Sequence, residues 1–284
     1  MYPEELERAL ADPGLISSAA WEAFLDALER GTVRAAEKGT DGQWRAVAWV
    51  KTAILAGFKA GGLAPFPWPR SVAIRPEFGD KRGALSGDGE FYDRPSFPPR
   101  TFAAEDSIRM VPGGSSVRRG TYVAPGVVIM PPSYVNVGAW IGPGTMIDSH
   151  ALVGSCAQIG GGVHLSAGAQ IGGVLEPAQA RPVIIEDNVF VGGLCGVFEG
   201  IVIRANAVLS AGVVLTGSTR IFDLVNGVEL KGEVPESAVV VPGSRPAGGA
   251  FAAAAGISLQ APCIVKYRDS KTDAAVALES ALRA

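Results

Sequence analysis

The side chains able to carry chemistry in this 284-residue chain are few: two histidines, His150 and His164, and three cysteines, Cys156, Cys195 and Cys263. A catalytic zinc takes about three protein ligands, so two histidines exclude a three-imidazole centre, and no catalytic metal is expected. The odd cysteine count argues against a disulfide framework and for a reducing, cytoplasmic setting. Neither a Walker-type loop nor a dinucleotide-binding glycine fingerprint occurs. Arginine and aspartate side chains add general possibilities. An arginine such as Arg109, in the run Ile108-Arg109-Met110-Val111-Pro112, can clasp a carboxylate through two parallel hydrogen bonds. An aspartate such as Asp148 can orient an amine or accept its proton. Only the motif resemblance described below singles out these two. Each also has a plainer reading: a surface arginine beside a loop, and a corner cap or surface ion pair. His164 and His150 are candidates for general-base work or for structural hydrogen bonding.

The elements that must position these residues are legible from a six-residue grid. Aliphatic side chains recur at Val111, Val117, Val123, Ile129, Val135, Ile141, Ile147, Val153, Ile159, Leu165 and Ile171, and again at Ile185, Val191, Val197, Ile203, Leu209, Leu215 and Ile221. The following residue is often Gly, Ala or Ser, and a small side chain returns four positions on, as at Ala139, Thr145, Ala151, Ala157, Ala169, Cys195 and Ala207. This is the pattern of a parallel β-helix, in which each hexad supplies one short strand and one corner. Stacked coils bury a continuous aliphatic column that no single hexad buries alone. Three hexads per coil give about six coils and, at ~4.8 Å per rung, a prism roughly 29 Å long. Strand alternation turns Asp148 outward because Ile147 points inward.

Ahead of the grid, Ser18 is placed to cap a helix carrying Trp21, Phe24, Leu25 and Leu28 and ending at Gly31. A second amphipathic run carries Val47, Val50, Ile54, Leu55 and Phe58. Prolines and glycines between about 60 and 105 suit an extended connector without regular elements. The grid breaks between Ile171 and Ile185, an interval read as two hexads plus two residues, and the excess falls in 173–182. A loop extruded from a regular solenoid commonly serves a purpose outside the core. A strand over Ala261–Tyr267 and a helix from Asp269 or Ser270 to Leu282 are expected to close the chain. The expected organisation is a helical domain and connector over 1–105, a β-helix over 106–245 and a strand/helix cap over 246–284. The formal net charge of −3 shows no basic stripe, against a nucleic-acid partner. The acidic start lacks a signal-peptide pattern, and no apolar run is long enough to span a bilayer.

Longer motifs add to the grid. Pro132-Ser-Tyr-Val-Asn-Val-Gly138, Gly144-Thr-Met-Ile-Asp148, Val153-Gly-Ser-Cys-Ala-Gln-Ile-Gly160, Val163-His-Leu-Ser166, Ile171-Gly-Gly-Val-Leu-Glu-Pro177 and Ile184-Ile-Glu-Asp-Asn188 follow one another. Ala36-Glu-Lys38, Gly42-Gln-Trp44 and Trp49-Val-Lys51 precede them, and Ser218-Thr-Arg-Ile221 and Ile264-Val-Lys266 come after. In this order they closely resemble the tetrahydrodipicolinate N-succinyltransferase family of hexapeptide-repeat acyltransferases. General rules favour right-handed crossovers, but the resemblance implies a left-handed β-helix. It implies transfer of succinyl from succinyl-CoA, a co-substrate and not a resident cofactor, to the amine of ring-opened tetrahydrodipicolinate in diaminopimelate and lysine synthesis. It further implies homotrimers with sites in the grooves between neighbouring β-helices. Arg109 then matches the substrate-binding arginine and Asp148 the active-site aspartate. The small residues Gly192, Gly193, Ser210, Ala211 and Gly212 suit close approach of the pantetheine arm, although glycines also serve corners. Lys266 matches a lysine suited to the nucleotide phosphates, with Arg268 an unaligned alternative.

One stretch departs from the resemblance. Where the family carries Ile-Gly-Ala-Arg-Ser-Glu-Val-Val-Glu-Gly, this chain reads Val191-Gly-Gly-Leu-Cys-Gly-Val-Phe-Glu-Gly200. Gly196 stands in place of the glutamate proposed to partner the aspartate, and Leu194 in place of an arginine. Three explanations are open: Asp148 suffices because orientation supplies much of the rate; Glu199 reaches the site; or the acyl donor or acceptor differs. The first is the preferred expectation. A β-helix that only scaffolds or binds a dicarboxylate is the alternative outside enzymes. The zinc-dependent carbonic anhydrase of the same repeat class is excluded by the histidine count.

Overall fold

A computed structural model describes residues 2–12, 16–60, 62–67 and 90–268. Its centre is a three-sided parallel β-helix of two-residue rungs joined by tight corners. The first face stacks Tyr122–Val123, Trp140–Ile141, Gln158–Ile159, Ile184–Ile185, Val202–Ile203 and Glu233–Val234. The second begins with Arg109–Met110, Val128–Ile129, Met146–Ile147, His164–Leu165, Phe190–Val191 and Val208–Leu209. The third stacks Ser116–Val117, Tyr134–Val135, Leu152–Val153, Gln170–Ile171, Gly196–Val197 and Val214–Leu215. Rung partners such as Ile141 and Ile159, or Val153 and Ile171, are one coil apart. The second residue of each rung points into one shared core, in which Ile129, Ile141, Ile147, Ile159 and Leu165 are fully buried. Removing one such side chain from water is worth about 1.5–3 kcal/mol, so stacking holds strands too short to persist alone.

Most corners close because the residue three beyond the core aliphatic turns left-handed. Glycine fills this place at Gly138, Gly144, Gly162, Gly168 and Gly212. His150, Cys156, Asn188, Leu194 and Asn206 also hold it with φ between 57° and 65°. Asparagine enters this region readily, whereas other side chains crowd the backbone.

Two grid details differ from the sequence reading. Met110, not Val111, pairs with Ile129, because the turn before Ser116 holds one residue more than a hexad and Met110 is apolar enough to take the inward place. The second concerns the break. Ile159 pairs with Ile185 and Ile171 with Val197, so each of these pairs spans twenty-six residues instead of eighteen, an excess of eight. Ile171 and Ile185 therefore lie on successive faces, and the extruded loop is a full excursion and not a two-residue bulge.

The N-terminal part comprises α1 (Pro3–Leu10), α2 (Ser18–Glu29), a hairpin of Ala36–Lys38 and Trp44–Ala46, and α3 (Ala48–Lys59). The cap of α2 is Ser17, whose Oγ accepts from the Ala20 N–H at 3.2 Å, not its neighbour Ser18. Phe24, Leu25, Leu28, Val50, Ile54 and Phe97 form a second core that continues into Val137 and Cys156 of the prism. The hairpin lies on the first face, where Ala36 and Trp44 pack on Ile184 and Val202. Arg34 stacks 4.0 Å over the Trp140 ring and donates from Nε to Gln158 at 2.6 Å. Arg119 ties α2 down through Glu22, Asp26 and Glu29. This module covers the first face and the edge it shares with the third.

The connector is more ordered than expected in its described parts, since Ala64–Pro67 pairs antiparallel with Glu90–Asp93. Cys263–Tyr267 forms as expected and extends the second face, antiparallel to Ala238–Val241. A six-residue helix, α4 (Ala250–Ala255), was not foreseen. The helix expected over 269–282 lies outside the described residues.

Candidate active site

The outward side of the second face and the edge it shares with the third are left open by the N-terminal module, and they gather most of the candidate residues. Along the face, register places Arg109, Val128, Met146, His164, Phe190, Val208 and Val239 in one outward column, with Lys266 opposite Val239 at the far end. Arg109 is exposed, and Lys266 is half-buried. At ~4.8 Å per rung, three rungs put about 14 Å between the backbones of Arg109 and His164. Along the edge, Asp148, Ser166, Gly192 and Ser210 occupy one place in successive corners, and His150, Gly168, Leu194 and Gly212 another.

Asp148 is held firmly at its backbone. Its N–H donates to Leu165 O at 2.9 Å, and its carbonyl accepts from Ser133 Oγ at 2.8 Å. Its carboxylate Oδ1 accepts the Ser149 N–H at 2.9 Å. Oδ2 faces His164 Nε2 at 3.8 Å, beyond hydrogen-bond reach. Ser133 and Ser149 were not singled out in the sequence; only their closeness to Asp148 hinted at them. His150 sits at the left-handed corner two residues on, with its N–H donating to Pro132 O at 2.6 Å.

The glycines expected to admit a pantetheine arm divide by cause. A Cβ on Gly192 would stand 2.5 Å from Ala211 N, so this glycine is required by coil stacking. Gly212 has φ +77° and open space around it, so the corner conformation requires it. A Cβ on Gly193 would stand 3.3 Å from Ala167 O, a tighter contact than most side chains make. The glycines are thus explained by the fold, while their position, beside Ser210 and Ala211 on the Asp148 edge, still leaves the backbone approachable.

Glu199 does not join Asp148 within the chain. It lies on the edge between the third and first faces and lines a cavity of about 970 Å³. Other walls are Leu55 and Phe58 of α3, Asn136, Ser155, Phe198, and Glu176 and Arg181 of the extruded loop. This cavity was invisible in the sequence because its walls come from five distant stretches. Gly196 lies on the third face beneath Phe198. A Cβ there would meet the Phe198 ring at 2.5 Å, so the space a glutamate would need is filled by an aromatic ring.

Electrostatics separate the open edge from the covered one. Burial pushes the Cys156 thiol up to about 12 and the Cys195 thiol to about 11, so neither is a thiolate nucleophile near neutrality. Burial lowers Lys51, whose ammonium donates to Pro177 O at 3.1 Å and Ala180 O at 2.6 Å and so grips the extruded loop. Burial would raise Glu186, but hydrogen bonds from Lys38 and Trp44 outweigh it and lower the carboxyl. No group of three or more His, Cys, Asp or Glu suited to a metal occurs among the described residues.

Two family profiles and several curated relatives match the chain. The profile for the tetrahydrodipicolinate N-succinyltransferase N-terminal region matches residues 8–60, and that for the hexapeptide repeat of succinyl-transferase matches 182–217. A 2,3,4,5-tetrahydropyridine-2,6-dicarboxylate N-succinyltransferase from Afipia carboxidovorans is 44% identical over 92% of this chain and 88% of its own. Enzymes of the same name from Azoarcus sp. and Nitrobacter hamburgensis are 45% and 43% identical, over 97% and 91% of this chain and 94% and 87% of theirs. With both modules matched and near-complete coverage on either side, this chain belongs to the tetrahydrodipicolinate N-succinyltransferase family.

Proposed function

We propose that this chain transfers the succinyl group of succinyl-CoA to the amine of ring-opened tetrahydrodipicolinate, a step of diaminopimelate and lysine synthesis, in the cytoplasm. The observation that carries the reading is the joint presence of Arg109 and Asp148 on one uncovered side of the prism, in a chain of this family. Arg109 holds an acceptor carboxylate by a two-point, charge-assisted contact. Asp148 stands beside the acceptor amine, its Oδ1 occupied by the Ser149 N–H and its Oδ2 facing His164. CoA runs along the edge past Gly192, Gly193, Ala211 and Gly212, with its phosphates toward Lys266, as a co-substrate that leaves with the thiol. Holding amine and thioester together supplies much of the rate, because two reactants become effectively one. The open second and third faces suit a homotrimer, in which neighbouring copies close the groove.

The substitution at Gly196 with Phe198 over it favours a second reading, a CoA-dependent acyltransferase with another acyl donor or amine acceptor. Thiol release from succinyl-CoA and, separately, acetyl-CoA, with 2-aminopimelate as acceptor, decides between them. Acceptor-dependent release that prefers the succinyl donor supports the first reading. Preference for acetyl supports the second, and no release with either donor leaves a non-catalytic β-helix.

A further inference from the structure

Among the groups on the open face, one ring nitrogen has no partner. His164 Nε2 is buried and makes no hydrogen bond, although the side chain as a whole is 38% exposed. Its nearest charged neighbour is Asp148 Oδ2 at 3.8 Å. On either side in register stand Met146 and Phe190, the latter packed edge-on with ring centroids 5.2 Å apart. Neither offers a strong acceptor, so nothing else around the ring satisfies Nε2. A buried polar nitrogen without a partner is costly and in native proteins calls for a specific explanation.

We propose that His164 is the general base of the acyl transfer and that Asp148 aligns it. The proposal rests on the reading that the acceptor amine is delivered beside Asp148. A closure of about 1 Å brings the pair within ordinary hydrogen-bond distance. Nε2–H then donates to Asp148 Oδ2, which fixes the tautomer and leaves the Nδ1 lone pair free; the bond at one ring nitrogen sets the protonation of the other. Nδ1 is not among the buried unpaired atoms, and the side chain as a whole is partly exposed. Arg109 stands three rungs away along the same column, and an elongated dicarboxylate lying over Val128 and Met146 reaches from its guanidinium to the His164 ring.

The step balances without any further reactant. Nδ1 takes one proton from the acceptor ammonium, and the imidazolium formed is stabilised by the Asp148 carboxylate. The free amine adds to the thioester carbonyl, forming the C–N bond. Collapse breaks the C–S bond and expels the CoA thiolate, and the second proton leaving the nitrogen protonates that sulfur. The proton on His164 is then released to solvent. This arrangement supplies a proton acceptor although Gly196 offers none.

The test uses the full chain, with thiol release from succinyl-CoA and 2-aminopimelate, on wild type, His164→Gln, His164→Gly, Asp148→Asn and the Asp148→Asn/His164→Gln double variant. General bases contribute about 10²–10⁴-fold. His164→Gln is expected to lower kcat by about that much with both KM values little changed, and added imidazole is expected to restore part of kcat to His164→Gly in a saturable manner. The double variant is expected to be hardly worse than the poorer single one, as for residues acting as a unit. A kcat for His164→Gln within tenfold of wild type overturns the proposal. So does an inactive His164→Gly that melts like wild type and gains nothing from imidazole. Wild type without acceptor-dependent release overturns the functional reading and this proposal together; an active wild type with an active His164→Gln overturns this proposal alone.

Discussion

At the residue scale, the carboxylate that matters is set apart by its location. Asp148 and Glu199 are both outward acids at prism corners, but Asp148 is on the edge left open, and Glu199 lines a cavity walled by α3 and the extruded loop. Asp148→Asn should therefore lower kcat by orders of magnitude, while Glu199→Gln should change it less than about threefold, within the range of ordinary surface substitutions. Steady-state thiol release checks both; the reverse pattern would move the site to the cavity. Asp148 was legible because Ile147 fixes the inward position and alternation does the rest. The state of His164 was not, because whether a ring nitrogen finds a partner depends on the next coil and not on its own hexad. Nor was the ring that fills the place above Gly196, since Phe198 reads in sequence as one more apolar residue.

At the element scale, the extruded loop and the first-face hairpin are each fixed by a buried charge. Lys51, fully buried on α3, holds the carbonyls of Pro177 and Ala180. Lys51→Met preserves the apolar contacts of the stem but frees the loop. Because replacing a buried charge with a well-packed apolar side chain is often close to neutral overall, the melting temperature should change little while amide exchange across 173–182 accelerates. Unchanged protection there would show that the loop holds itself. Glu186 receives Lys38 at 2.8 Å and the Trp44 indole N–H at 2.8 Å, joining the hairpin to the prism. Its carboxyl is lowered in the folded chain, so the stability it contributes is present in full above the ordinary value of 4.5 and is lost as pH falls through the lowered one. Trp44 fluorescence should report loosening of the hairpin as pH falls below the ordinary carboxyl value of 4.5, and Glu186→Gln should cost about 1.5–3 kcal/mol near neutrality, the worth of a charged hydrogen bond. A variant that loses nothing, or an acid transition unchanged in it, would remove Glu186 from that role. The grid gave the rungs because one aliphatic residue in six must face the core. It could not give the loop's length, because fourteen residues read equally as two hexads with two to spare or as one side with eight to spare. Only the register of Ile159 against Ile185 separates these.

At the scale of the whole molecule, the described N-terminal elements cover the first of the three faces, and the edge between the other two carries Leu194. This leucine is 76% exposed and sits at φ +59°, unfavourable on both counts: an apolar side chain in water, and a branched residue in a conformation that suits glycine or asparagine. Its Cδ2 lies over Gly168 of the preceding coil, so it stands directly in line with Asp148's edge. A residue kept against both preferences is best accounted for by a surface that meets it in the assembled protein. The two costs separate experimentally. Leu194→Asn relieves the backbone and removes the apolar contact, so the isolated chain should gain several tenths of a kcal/mol or more while association weakens. Light scattering should give a mass near three times 29.3 kDa for the wild type and a dilution-dependent lower mass for the variant. Activity should fall in parallel under the proposed arrangement, in which a neighbouring copy closes the groove. A variant that stays trimeric and fully active would place the subunit contact elsewhere, and a wild-type monomer with full activity would confine the whole site to one prism.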